Sequence, residues 1–350
     1  MGFRVAAAAV AFGLTALTPA QAAPCMTVTV TGAQGGPQAY QGQAGPGTLV
    51  RYGDDADNCN QVRLQFDAGR GTLLRLSQAN VLSLQVNAVF FTHMHNDHSE
   101  GFIDLIQHRW MIFPTGPKVD VVCSDDVTSP LGVTVSCKKF IAHIADAAIQ
   151  SGEIAQRVSE DKRRLAGGPA GLANVRTFEP KNEPQPVWLL GDVKVSAVRS
   201  THIAGHASYR IDTPAGSVVI GGDAGNDALA PPRPSSTSAQ VETLAKGADV
   251  IVHSAIHPVM GPERDSGMPP PIFYRQSSAS DLGAMAQRTG AKHLVLTHLI
   301  PAPGAPSQGV WKVPGGALTE ADYRKAAQDS GFTGSVTVAT DLASIRLPAK

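Results

Sequence analysis

Short apolar runs bounded by Gly, Pro, Asp and Asn recur along this chain and alternate with stretches of helical spacing. Residues 25–31 alternate apolar and polar positions as a half-buried strand does. Strands at 48–52 and 61–66 follow, separated by the turn formers Gly53-Asp54-Asp55 and Asp57-Asn58. Asp67-Ala68-Gly69-Arg70-Gly71 then bends the chain into a helix at 72–76. Asn87-Ala88-Val89-Phe90-Phe91 reads as a buried strand. Helical spacing returns at 101–110 and 138–165, the latter interrupted near Ser151-Gly152. The second half predicts strands at 193–198, 250–253, 294–297, 336–339 and 344–347. It adds a hairpin of 209–212 with 217–220, and helices at 241–246, 281–289 and 320–328. Strands in both halves, each half with its own helices, predict two sheets packed face to face with helices outside. No Ser/Gly-rich linker divides the halves, so residues 23–350 read as one domain. Two Pro/Gly-rich loops, 260–271 and 301–316, are long enough to shape a site.

The first residues follow the export pattern. Arg4 supplies the positive start, 5–17 the apolar run and Ala20-Gln21-Ala22 a cleavage site, so residues 1–22 read as a signal peptide. The apolar run is too short to span a bilayer, and no stable membrane anchor is expected after cleavage. A periplasmic or secreted location follows. Cysteine usage agrees: Cys25, Cys59, Cys123 and Cys137 show no metal-binding C-x-x-C spacing and can form two disulfides. Three pairings are possible, and sequence proximity favours Cys25–Cys59 with Cys123–Cys137. The chain has 29 basic and 29 acidic residues and 5% aromatics, which offers no electrostatic footprint or stacking platform for nucleic acid.

The candidate chemistry begins at Thr92-His93-Met94-His95-Asn96-Asp97-His98, three imidazoles and a carboxylate directly after an apolar strand. On an extended stretch His93 and His95 face the same way and can reach one ion, while Asp97 and His98 turn towards a second. Neutral imidazole and carboxylate oxygen suit Zn²⁺ or a similar ion. Further donors with the same placement, just past an apolar strand, are His202, Asp223 and His298. Gly221-Gly222 permits the close approach that a bridging carboxylate needs.

Taken together, His93-x-His95-x-Asp97-His98, His202, Asp223 and His298 resemble the full ligand set of the metallo-β-lactamase-fold hydrolases. Within them, the nearest resemblance is to the branch holding tRNA 3′-processing endonucleases (RNase Z) and zinc-dependent arylsulfatases. Phe66-Asp67-Ala68-Gly69-Arg70-Gly71, Gly221-Gly222-Asp223 and Leu296-Thr297-His298-Leu299 carry that resemblance. It implies an α/β fold, an αββα sandwich of two mixed β-sheets with helices on the outer faces. It implies two divalent ions, Zn²⁺ by donor type. His93, His95 and His202 would hold one; Asp97, His98 and His298 the other; Asp223 would bridge them. Asp67 would lie behind the ligands and orient one of them, and Asp97 would also hold the nucleophile's proton. His206 and His253 are expected near the site as supporting or substrate-contacting groups.

Three departures weigh against RNA processing. The endonucleases carry a long substrate-gripping arm between the positions of His202 and Asp223, where only about twenty residues lie here. Their HEAT segment falls on His253-Ser254-Ala255-Ile256, with Ser254 in place of glutamate. Their later catalytic histidine falls on Gln276. The expected activity is therefore arylsulfatase- or phosphodiesterase-like, with a metal-bridged hydroxide attacking a sulfate or phosphate ester. The expected substrate is a small molecule, with no nucleic acid partner. A lactonase or β-lactamase acting on a cyclic carbonyl is the alternative, and an RNase Z-type endonuclease is disfavoured. An intact seven-donor set argues against a non-catalytic binding protein.

Overall fold

The two predicted sheets are present in a computed structural model of the chain, which describes residues 1–2, 22–164 and 167–348. The leader positions 3–21 lie outside the described residues. Among those described, no helix is long and apolar enough to cross a membrane. The first sheet runs edge to edge through Ser344–Leu347, Pro24–Gly32, Gly47–Asp54, Val62–Phe66, Ala88–Phe90, Val119–Ser124 and Ala173–Phe178. Its first four strands pair antiparallel and its last four parallel. The second runs through Ser335–Val338, His293–Ile300, Val250–Ile256, Gly216–Ile220, Ala207–Thr213, Val193–Arg199 and Gln185–Leu190, and is likewise mixed.

The inner faces meet in one apolar layer. Met26, Val28, Val50, Leu64, Phe66 and Phe90 of the first sheet pack on Val195, Tyr209, Ile211, Val218, Val250 and Val295 of the second. Phe90 sits at its centre, stacked on Phe66 at 4.6 Å and edge-on to Tyr209 and Trp188. The buried Tyr209 hydroxyl donates across the layer to the Phe91 carbonyl at 2.7 Å, so its polar end is satisfied next to the ligand run. Helices Gly101–Ile112 and Cys137–Gln150 cover the outer face of the first sheet. Ala239–Ala245, Ala279–Thr289 and Glu320–Asp329 cover that of the second. This is the expected αββα sandwich. Both expected disulfides form, Cys25–Cys59 and Cys123–Cys137.

Two local expectations differ. The strand Pro24–Gly32 is buried on both faces rather than one; its threonines lie on the outer side, where Thr29 pairs with Ser344 and Thr31 accepts from Gln65. Three strands of the two large sheets had no prior signal: Val119–Ser124, Ala173–Phe178 and Gln185–Leu190. Gln185–Leu190 contains Pro186, which a central strand would not tolerate, and it occupies the sheet edge where the missing N–H costs nothing. The loop leading into Ala88–Phe90 is fixed from behind by Arg109. Its buried guanidinium donates to the carbonyls of Ser83, Val86 and Pro117. That clamp sets where the strand, and hence the ligand run, begins.

Candidate metal centre

The strand Ala88–Phe90 stops short of the histidines, so strand alternation is not what brings His93 and His95 together. The chain leaves the sheet at Phe91, and a one-turn helix, Asn96–Ser99, carries Asp97 and His98. The loop still converges: His93 Nε2 lies 2.9 Å from His95 Nδ1. His202 approaches from the turn after Val193–Arg199. Asp223 follows Gly216–Ile220 through Gly221-Gly222. Gly222 has φ 60° and faces Thr92, where a Cβ would sit 2.8 Å from the Thr92 Cβ. A Cβ at Gly221 would sit 2.1 Å from the His253 ring. Both glycines are therefore steric requirements of the ligand turn. His298 lies within its strand rather than beyond it. A register shift opposite Ser254–Ala255 makes it the extra residue of a bulge at φ 46°, which turns its ring to the site.

Asp223 is the hub. Its Oδ2 lies 3.5 Å from His98 Nε2, 3.6 Å from His202 Nε2 and 3.2 Å from His298 Nε2. Asp97 Oδ2 lies 3.4 Å from His298 Nε2 and 3.8 Å from His98 Nε2. Among the described residues three donor groups emerge: His93, His95 and His202; His93, His98 and Asp223; and Asp97, His98 and His298. Ligands around a tetrahedral Zn²⁺ at about 2.0 Å would stand about 3.3 Å apart, close to these separations. The buried His98 Nε2 and Asp223 Oδ1 have no hydrogen-bond partner among the described residues. Buried polar atoms turned inward on one point are what a cation satisfies, so the residues fit a divalent metal.

Electrostatics agree. Burial holds His202 neutral, with its pKa at about 3, as a ligand requires. Burial raises the Asp97 carboxyl, but contact with His298 and the charges of His98 and His298 outweigh it and hold the pKa at about 2. Burial disfavours a charged His98, yet the facing Asp223 and Asp67 carboxylates raise its pKa well above the usual imidazole value. Proton and cation compete for the same place.

Behind the donors lies a hydrogen-bonded layer. Asp67, at φ 52°, accepts from His98 Nδ1 at 2.9 Å and from the Thr92 N–H and hydroxyl at 2.8 Å each. This leaves His98 Nε2 free to face inward, which is how a carboxylate orients a metal-binding imidazole. Replacing Asp67 by asparagine is expected to lower metal affinity about 10- to 100-fold. Competition titration against a chromogenic chelator checks this, with unchanged affinity as the contrary result. His206 is buried and engaged at both nitrogens, with Ser200 Oγ at 2.7 Å and the Asp223 N–H donating to its Nε2 at 3.1 Å. It positions Asp223 and is not exposed to substrate. His253 is also buried, its Nδ1 donating to the Ser254 carbonyl at 2.8 Å.

In front of the donors opens a cavity of about 300 Å³, with His95, Asp97, His202, Asp223 and His298 at its floor. The two Pro/Gly-rich loops meet there. Lys312 N–H donates to the Ser266 carbonyl at 3.1 Å, and Met260, Met268, Ile300 and Val313 share an apolar cluster with Ile272 and Trp311. The cavity is also lined by Arg275, Gln276, Gln308 and Trp311. None of these four was expected as a functional residue. The available signals were Gln276, standing where the endonucleases have histidine, and the lone tryptophan of the second loop.

No protein-family model matches the chain. It is 28% identical over 324 residues to a protein named Ribonuclease Z from Mycolicibacterium paratuberculosis (strain ATCC BAA-968 / K-10), covering 92% of this chain and 98% of that one. Among solved structures, human tRNase Z, short form, superposes with a TM-score of 0.58 at 17% identity, covering 92% and 100% of the two chains. The metallo-beta-lactamase fold protein YhfI from Bacillus subtilis also gives 0.58, at 19% identity, covering 92% and 99%.

These relatives correct the substrate reading. The expected arylsulfatase-like action on a small sulfate or phosphate ester, without a nucleic acid partner, is overturned by likeness to ribonuclease Z over nearly the whole of both chains. The physical error lies in the weight given to whole-chain properties. A net charge of zero is a sum over the surface and says nothing of the charge at the cavity, where Arg275 stands. Nor does the short His202–Asp223 connection remove any donor from the floor of the cavity.

Proposed function

We propose that this chain, a metal-dependent hydrolase of the metallo-β-lactamase fold and the ribonuclease Z branch, cleaves phosphodiester bonds in RNA with two zinc ions. The observation that carries the reading is the whole-length similarity to ribonuclease Z; the converging donors supply a matching chemistry. His93, His95 and His202 would hold one ion, and Asp97, His98 and His298 the other, with Asp223 between. When bound, such a pair lowers the pKa of a water to about neutral and neutralises phosphoryl oxygens. The chain's own residues do the rest. Asp97 is ionised at neutral pH and lines the cavity, so it can accept the nucleophile's proton. Asp67 and His206 hold His98 and Asp223 in place, so no reorganisation is needed during the reaction. The paired cysteines support an oxidising, periplasmic or secreted setting for residues 23–350 after loss of 1–22.

The test is incubation of the zinc-loaded protein, residues 23–350, with an RNA bearing a 3′ extension, followed by mapping of the product ends. Cleavage that stops on chelation and is absent in His95→Ala is expected. An RNA left intact by protein carrying its metals overturns the reading.

A further inference from the structure

Arg275 is a feature of the cavity that the metal chemistry leaves unexplained. It follows the short helix Pro270–Tyr274, and its carbonyl, not its side chain, accepts from His202 Nδ1 at 3.4 Å. The guanidinium makes no ion pair among the described residues, and its buried Nε has no hydrogen-bond partner. It lines the same cavity as His95 and His202. A half-buried guanidinium without a carboxylate, lining a cavity beside a cation site, calls for an anion from outside the chain. Guanidinium presents a planar fork that matches two phosphate oxygens at once.

Another part of the lining has different chemistry. Trp311 is half-buried, lines the same cavity, and is backed by the Met260, Met268, Ile300 and Val313 cluster that joins the two loops. An indole face over an apolar support is a stacking surface for a planar base. Gln308 is anchored to the Gly35 carbonyl by its Nε2 at 3.1 Å, which steadies the loop bearing Trp311.

We propose that Arg275 and Trp311 form a nucleotide subsite beside the metal centre: the guanidinium holds the oxygens of a phosphate and the indole stacks on the adjoining base. This rests on the phosphodiesterase reading for its substrate class, and it names the two groups that recognise the substrate. Arg275 supplies a cation next to the position where the endonucleases carry histidine and this chain has Gln276.

Binding can be read without turnover. The chain has three tryptophans, and Trp110 and Trp188 are only 1% and 6% exposed, so quenching by a cavity ligand reports on Trp311. The experiment titrates zinc-loaded protein with adenosine 5′-monophosphate and with adenosine, by fluorescence and calorimetry, and repeats it with Arg275→Met, Arg275→Lys and Trp311→Phe. Circular dichroism verifies the fold of each variant. The monophosphate is expected to quench the wild type and not Trp311→Phe, whose affinity falls about tenfold. Arg275→Met should weaken the monophosphate about tenfold while leaving adenosine unchanged, with Arg275→Lys between, because it keeps charge but not the fork. Folded Arg275→Met and Trp311→Phe proteins that bind the monophosphate as the wild type does overturn the subsite, even if RNA is cleaved. The expected binding changes in a protein that cleaves no RNA uphold the subsite and refute the phosphodiesterase reading.

Discussion

Replacing Asp223 by alanine is expected to lower hydrolysis on the order of a thousandfold or more and to strip metal from both positions, while the protein stays folded. The geometry gives the reason. A single oxygen, Asp223 Oδ2, lies within 3.2–3.6 Å of the inward nitrogens of His98, His202 and His298, which belong to both donor groups. Removing the carboxylate halves the negative charge that Asp97 and Asp223 together contribute and opens the bridge at once. The fold should survive, because the bond between Asp223 N–H and His206 Nε2 uses backbone and is indifferent to the side chain. Metal analysis, circular dichroism and steady-state rates on the same preparation check the three parts. A folded variant that keeps its full metal content and rate would show that Asp223 is a turn residue only.

The second large effect is on stability. Chelation of the wild type is expected to lower its unfolding free energy by about 4 kcal/mol for each ion lost, relative to protein in a thousandfold excess of metal over its dissociation constant. Without a cation, Asp97 and Asp223 confront imidazoles 3.2–3.8 Å away in a buried site, and the carboxylates draw a proton onto His98. The melting temperature should fall by several degrees and recover when zinc is returned. Thermal scans before and after dialysis against chelator measure this. Identical melting curves with activity intact would mean that the donor cluster is held together without metal. The Asp67→Asn protein should be stripped at lower chelator concentration, since His98 loses the partner that orients it.

The sandwich and the convergence of the seven candidate donors were legible for a physical reason. Each donor follows or sits in an apolar strand, and the run at 93–98 is too dense in imidazole for an ordinary turn. Strand alternation was expected to align His93 and His95, yet the strand ends at Phe90 and the loop aligns them. His298 reaches the site through a bulge, and a one-residue insertion in a paired strand has no local signature unless the partner strand is known. Edge strands such as Gln185–Leu190 escaped notice because Pro186 argues against a strand and only the topology puts it where it is tolerated. Arg275 and Trp311 lie in or beside loops whose meeting depends on three-dimensional closure. Substrate class was misjudged because net charge and a missing arm are averages and absences, whereas recognition depends on the few groups that line the cavity.

The most direct measurement of the central claim is the metal stoichiometry of the purified chain, by native mass spectrometry with element analysis, alongside RNA cleavage at each stage of loading. Two divalent ions per chain are expected, with cleavage rising only as the second is taken up. A chain that cleaves RNA with no metal bound, or that binds none of the ions offered, would contradict the dinuclear assignment.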